Sequence, residues 1–246
     1  AAQTTLKSLR EQTVNETAHA ATPALIRVAA PAAGELSRAT RSTPFVNRLG
    51  MKFVPVPGTD VLFCIHETRF RDFSAFSAEG ALAGAAWKKR ESEGVVVEDA
   101  EGAHPVANVS WEKGVAFCGW LSKKEGRKYR LPTDREWSAA VGLGRKEDWA
   151  KDDTPATVKK SPDELPWGSD WPPTRGAGNF SDVTRKAKSK SQKGPYFAEY
   201  DDGFPTTAPV MSFKENNYGI FDLGGNVWEW VDDWWNLEKK ERTLRG

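Results

Sequence analysis

The stretch YGIFDLGGNVWEWVDDWW, residues 218–235, is aromatic and glycine-rich. Within it, Asp222-Leu-Gly-Gly-Asn-Val-Trp-Glu229 places two carboxylates seven positions apart across a Gly-Gly turn. Small residues there let backbone carbonyls converge with both side chains. Calcium asks for such a donor set, roughly six to eight oxygens at about 2.3–2.6 Å. A second candidate set, Asn179-Phe180 with Asp202-Gly203-Phe204, would clamp a long loop at two points. The same residues also suit plain Asx turns and a helix cap, so spacing alone leaves both readings open.

Upstream, Thr133-Asp134-Arg135-Glu136 is a capping box that predicts a short helix over 135–141, ended by Gly142 and Gly144. Ser110 is placed to cap another, with Trp111, Val115, Cys118 and Leu121 on one inward face. Thr68 is placed to cap a third, in which Phe70, Phe73 and Phe76 recur every three residues. Met51–Val56 and Val61–His66 read as two strands around Pro57-Gly58-Thr59-Asp60. Thr243-Leu244-Arg245 reads as the start of another. After Lys146 some seventy residues are dense in Pro, Gly, Asp and Lys and predict loop. So long an irregular stretch needs something to pin it, such as a metal or a specific ligand.

Residues 1–44 differ in texture, being rich in Ala, Thr and Pro and free of aromatic residues. They are expected to form an arm or inter-domain linker, with a polar helix over 5–20 carrying Leu6 and Leu9 as the rival. The domain proper is expected over 45–246. The 246 residues carry 35 basic and 34 acidic side chains, a net charge of +1. That balance gives bulk electrostatics no role in recruiting a nucleic acid or an anionic membrane. No apolar run approaches the ~18–20 residues of a membrane span, so neither nucleic acid nor membrane is expected as a partner.

Several familiar chemistries are not signalled. His19, His66 and His104 are too scattered for a three-histidine metal site, and no phosphate loop, nucleophile elbow or HExxH run occurs. His66 and His104 read as packing or hydrogen-bonding histidines. Cys64 and Cys118 cannot build a disulfide scaffold and read as buried thiols. Two cysteines suit an extracellular, periplasmic or cytoplasmic compartment alike. The run Arg185, Lys186, Lys188, Lys190, Lys193 reads as a solvated loop, with a phosphate or acidic-partner contact as the sharper alternative. No residue is singled out as catalytic.

Four strings nonetheless carry a resemblance: residues 104–140 (HPVANVSWEKGVAFCGWLSKKEGRKYRLPTDREWSAA), LPWGSD at 165–170, GNF at 178–180, and residues 208–235 (APVMSFKENNYGIFDLGGNVWEWVDDWW). In order and spacing they resemble the formylglycine-generating enzyme family, the sulfatase-modifying factor domains. The resemblance implies an α+β variant of the C-type-lectin fold, with few short helices and strands and much ordered loop. It also implies calcium. One ion would take the side chains of Asn179 and Asp202 with the carbonyls of Phe180 and Phe204; another would take Asp222 and Glu229 with the carbonyls of Gly225 and Val227. Trp111, Trp120, Trp137, Trp167, Trp228 and Trp230 fall within the shared strings and are expected to fill the scaffold. Trp234 and Trp235 are the better candidates for a site rim.

The catalytic part of the family does not carry over residue by residue. The oxidases of the family use a copper-binding cysteine pair that follows an Arg-Gly-Gly-Ser-like strand. Leu244-Arg245-Gly246 resembles the start of that strand, so the domain is expected to stop short of its C-terminal strands. Cys118 is similar to a helix cysteine that some relatives bridge. The string at 49–69, LGMKFVPVPGTDVLFCIHETR, resembles a bacterial branch that includes kinase-appended domains and the variable proteins of diversity-generating retroelements. The expected function is therefore a calcium-stabilised binding or display module taking a protein, peptide or glycan through its C-terminal face. The alternative is a copper-dependent formylglycine-generating oxidase with its cysteine pair beyond Gly246. A partner domain of a non-haem-iron oxygenase is the third reading.

Overall fold

The computed structural model describes residues 21–23, 27–29, 38–80, 85–144, 146–159, 165–190 and 194–246. Among these, a five-stranded antiparallel sheet runs in the order β3 (Phe45–Val46), β4 (Lys52–Pro55), β5 (Val61–Cys64), β2 (Arg27–Ala29) and β8 (Tyr129–Arg130). A second sheet sets β9 (Trp228–Trp234) between β1 (Ala21–Pro23), which runs parallel to it, and the antiparallel β10 (Arg242–Arg245). The hairpin β6 (Glu91–Ser92) and β7 (Val95–Val96) stands apart. The helices are α1 (Phe70–Ala78), α2 (Trp111–Glu125), α3 (Asp134–Val141) and α4 (Val183–Lys188). The class is α+β, with short elements and long ordered loops, as expected.

Two stretches of the expected arm lie in these sheets. Residues 27–29 pair with Phe63, Leu62 and Val61 on one side and with Arg130 and Tyr129 on the other. Residues 21–23 pair with residues 228–230. An unpaired strand edge within a sheet leaves amides and carbonyls that need partners, and these stretches supply them. The helix expected over 5–20, with Leu6, Leu9 and His19, lies outside the described residues.

The core is aromatic. Phe73 and Phe76 of α1 meet Phe117 of α2 at ring distances of 5.6 and 5.7 Å, and all three are fully buried. This corrects the predicted face of α2. Gly114, Phe117, Cys118 and Leu121 point inward, whereas Val115 is 38% exposed. A buried Phe removes more apolar area from water than a Val, and the two phenylalanines of α1 offer it a partner surface, so the helix turns that side in. Ser110 caps α2 as expected, its hydroxyl accepting the Lys113 amide at 3.4 Å.

The cap of α1 is one residue later than expected. Arg69 is the N-cap, and Asp72 of the first turn reaches back to accept both its amide (3.2 Å) and its side-chain Nε–H (2.8 Å), a carboxylate suited to a helix N-terminus. The Thr133–Glu136 capping box forms in both directions, at 3.2 and 2.8 Å, and Gly142 ends α3 in the left-handed region.

The long loop contains α4, which was not anticipated. Asp182 accepts the Arg185 amide at 2.8 Å and starts it. Arg185 then pairs with Glu93 of the β6–β7 turn at 2.8 Å, so the basic run is helical as far as Lys188 and ion-paired at Arg185, while Lys188 and Lys190 are exposed and Lys193 lies outside the described residues. Tyr200 pins the loop by donating to the Gly178 carbonyl at 2.6 Å, and the rings of Trp167, Phe180, Phe197 and Tyr200 pack around it. No helix among the described residues is long and apolar enough to cross a membrane.

Candidate functional site

The turn before β9 is wound tightly. Asp222, Gly225 and Asn226 all have positive φ, at 59°, 90° and 58°. A Cβ at Gly225 would run into the Asn179 carbonyl oxygen and come within 2.8 Å of the Phe180 ring, so only glycine fits. The Asn226 amide donates to that same carbonyl at 2.8 Å. The two donor sets expected from sequence are thus neighbours, stitched together at 179 and 225–226.

Asp222 and Glu229 stand at opposite ends of this turn. Glu229, the second residue of β9, is 0% exposed. Its Oε2 accepts the indole N–H of Trp137, and its Oε1 is buried with no hydrogen-bond partner. Asp222 accepts the Met211 amide on Oδ2 at 2.7 Å, while its Oδ1 is likewise buried and unpartnered. Buried carboxylate oxygens without partners are costly and rare. Burial, with a smaller contribution from Asp222, pushes the Glu229 carboxyl up to about 8. Burial pushes Asp222 up to about 6, against the pull of the Met211 amide. Two unpartnered oxygens on carboxylates that resist ionisation fit a bound cation, whose charge reverses that logic.

A third carboxylate joins them, one that sequence spacing did not reveal. Glu67, between β5 and α1, is fully buried; its Oε2 accepts from the Asn226 side chain at 2.7 Å and its Oε1 from the Val227 amide at 3.3 Å. Burial raises its pKa well above the ordinary range, and the charges of Asp222 and Glu229 raise it further. The available hint was a glutamate three residues past a strand with no exposed residue. Among the described residues, no group of three or more His, Cys, Asp or Glu side chains is disposed to hold a metal ion. A cation at Asp222 and Glu229 would therefore lean on backbone carbonyls, those of Gly225 and Val227 within the turn being the pair that the resemblance implies.

The first set is built differently. Asp202 accepts the Phe180 amide on one oxygen and the Phe204 amide on the other, each at 2.8 Å. Asn179 donates to the Thr206 carbonyl at 2.7 Å. Burial lifts Asp202 to about 6, with the two amides pulling the other way. Its oxygens already have donors, so Asn179, Phe180, Asp202 and Phe204 close a loop without leaving an orphaned atom among them.

The remaining candidates settle as scaffold. Cys64 and Cys118 are free and buried. Burial pushes the Cys64 thiol up to about 12 and that of Cys118 further still, so neither presents a thiolate. His66 places Nδ1 2.7 Å from the Glu67 carbonyl, and His104 meets the Thr207 hydroxyl at 2.9 Å. Arg242 is held between the rings of Trp111 and Trp234, 3.6 Å from each centroid. Trp234 thus helps to clamp β10, while Trp228 is the more open ring, 37% exposed.

Known proteins of similar sequence bear on this arrangement. A formylglycine-generating enzyme of Thermomonospora curvata is 34% identical over 158 residues, covering 64% of this chain and 42% of its own. One from Mus musculus is 33% identical over 134 residues, covering 54% of this chain and 28% of its own. The chain thus spans less than half the length of these curated relatives. The solved structure of PvdO from Pseudomonas aeruginosa matches 87% of this chain and 69% of its own, with 23% identity and a TM-score of 0.47. The sulfatase-modifying factor enzyme 1-like domain matches residues 30–246, taking in both donor sets, the capping box and the last strand. With nearly its whole length inside that match, the chain belongs to the formylglycine-generating enzyme, or sulfatase-modifying factor, family.

Proposed function

We propose that this chain is a calcium-stabilised, C-type-lectin-like binding module of its family, presenting the β9–β10 face to a protein, peptide or glycan ligand. The observation that carries the reading is the pair of buried, unpartnered oxygens on Asp222 and Glu229. Bound there, calcium supplies the positive charge that lets both carboxylates stay ionised inside the fold. Asn179, Phe180, Asp202 and Phe204 are the second candidate set, with the weaker case because each Asp202 oxygen already accepts an amide. The Trp111–Arg242–Trp234 stack gives the adjoining face a rigid aromatic rim, suited to contact at low entropic cost. Calorimetric titration with calcium tests the first half. One tight site per chain is expected, and no heat of binding after chelation would refute it. An immobilised-glycan and peptide array probed with the calcium-loaded protein tests the second, with binding lost on mutation of Trp234 or Trp228 as the expected result.

A second reading is favoured by the 34% identity to a formylglycine-generating enzyme. It is a copper-dependent oxidase that converts a protein cysteine to formylglycine, with its cysteine pair outside residues 1–246. Incubating the full-length protein with Cu(I), dioxygen and a Cys-x-Pro-x-Arg peptide decides between the two. Aldehyde detected by mass spectrometry establishes the oxidase and ends the binding-only reading.

A further inference from the structure

Arg245 of β10 lies directly opposite Glu229 of β9 in the strand register. Residues so opposed share one face of the sheet, with Cβ atoms about 4.5–5.5 Å apart, and opposite charges in that position ordinarily close on each other. Here they do not. The guanidinium pairs with Asp134 at 3.4 Å and Glu147 at 3.2 Å, and donates to the Ser138 hydroxyl at 2.7 Å. It also lies over the face of Trp137, 4.5 Å from the ring centroid. The same indole gives its N–H edge to Glu229. One ring from α3 therefore touches both charges, its electron-rich face to the cation and its polar edge to the anion. The outcome is a buried glutamate with one free oxygen, although an arginine stands across from it.

We propose that Trp137 is a positioning residue that holds Arg245 away from Glu229 and so keeps this carboxylate available to a cation. The inference rests on the cation reading of Asp222 and Glu229. Without the ring, the guanidinium can reach Glu229 and replace the ion with an internal salt bridge. Asp134 and Glu147 act with Trp137 by giving Arg245 other partners, which explains why α3 carries a buried aspartate at its first residue.

The test is calorimetric calcium titration of the unaltered protein, Trp137→Phe, Trp137→Leu, and Trp137→Leu combined with Arg245→Met. Trp137→Leu is expected to weaken calcium binding by at least about tenfold, the usual scale for loss of an outer-sphere partner. Trp137→Phe keeps a ring under the guanidinium and loses only the N–H, so the loss should be about threefold. Removing the arginine from the leucine variant should restore affinity to within about threefold of the unaltered protein. General damage to the fold would not be repaired by a second core substitution. Unchanged affinity in Trp137→Leu, or no recovery in a double variant with intact circular dichroism, would overturn the role of Trp137. If the leucine variant does not fold, a crystal structure of the calcium-free unaltered protein serves: Arg245 still on Asp134 and Glu147 supports the inference, and Arg245 closed on Glu229 overturns it. No calcium binding by the unaltered protein would overturn the cation reading, and this one with it.

Discussion

In chelator the fold should lose stability as pH rises, the reverse of what paired surface carboxylates do. Glu229 is fully buried, and its carboxyl is raised from 4.5 to about 8 in the folded chain; Asp222 is raised from 3.8 to about 6, and Glu67 is raised as well. A group whose folded pKa is raised stabilises the fold fully below its unfolded value and loses that contribution as pH climbs through the folded value. Between those limits the folded chain holds a proton that the unfolded chain has released, and each pH unit costs about 1.4 kcal/mol. From about pH 5 to pH 7, Glu229 alone should remove roughly 3 kcal/mol, and on the order of 5 kcal/mol by the time it ionises. Typical domains have only about 5–15 kcal/mol in total, so the effect is large. The assay is urea denaturation followed by tryptophan fluorescence, in chelator and in excess calcium, from about pH 5 to pH 8. In chelator the midpoint should fall across the range. In calcium it should stay nearly level, so that the calcium gain widens with pH. Glu229→Gln carries no titratable group at that position and should reduce the slope, leaving the parts that Asp222 and Glu67 contribute, and should abolish most of the calcium response. A chelated protein whose midpoint is flat or rising, or two curves that superimpose, would refute the reasoning.

Other perturbations address the frame around the site. Gly225→Ala adds a Cβ against the Asn179 carbonyl and the Phe180 ring at φ +90°, so a loss of about 3 kcal/mol or more is expected in the same denaturation assay. Met211 is 40% exposed at φ +66°, and Met211→Gly should relieve more strain than it costs in chain entropy, a net gain of about 0.5 kcal/mol. Deleting residues 1–29 removes β2 from between β5 and β8, so the truncated chain should lose its cooperative thermal transition; an intact transition would show that the rest holds without it.

What the sequence made legible was local. The Thr133–Glu136 box, the Ser110 cap and the glycine after α3 need only their own neighbours, and each stands where its spacing placed it. The tight turn between Asp222 and Glu229 was legible in the same way, since its Gly-Gly pair suits left-handed conformations that few other residues tolerate. Reading α4 would have required weighting Asp182 as a cap within a segment otherwise dominated by loop composition.

The order of the family strings, together with these local signals, determined the α+β class and the residues that form the turn. Only the tertiary structure decided which side of α2 is buried, because that depends on Phe73 and Phe76 arriving from another helix. It also decided that Glu67 joins Asp222 and Glu229 across 155 and 162 positions of chain, and that Trp137 turns its ring face to Arg245 and its N–H edge to Glu229. Charge, burial and an unpartnered oxygen are properties of what lies across from a residue in space, and spacing along the chain does not encode them.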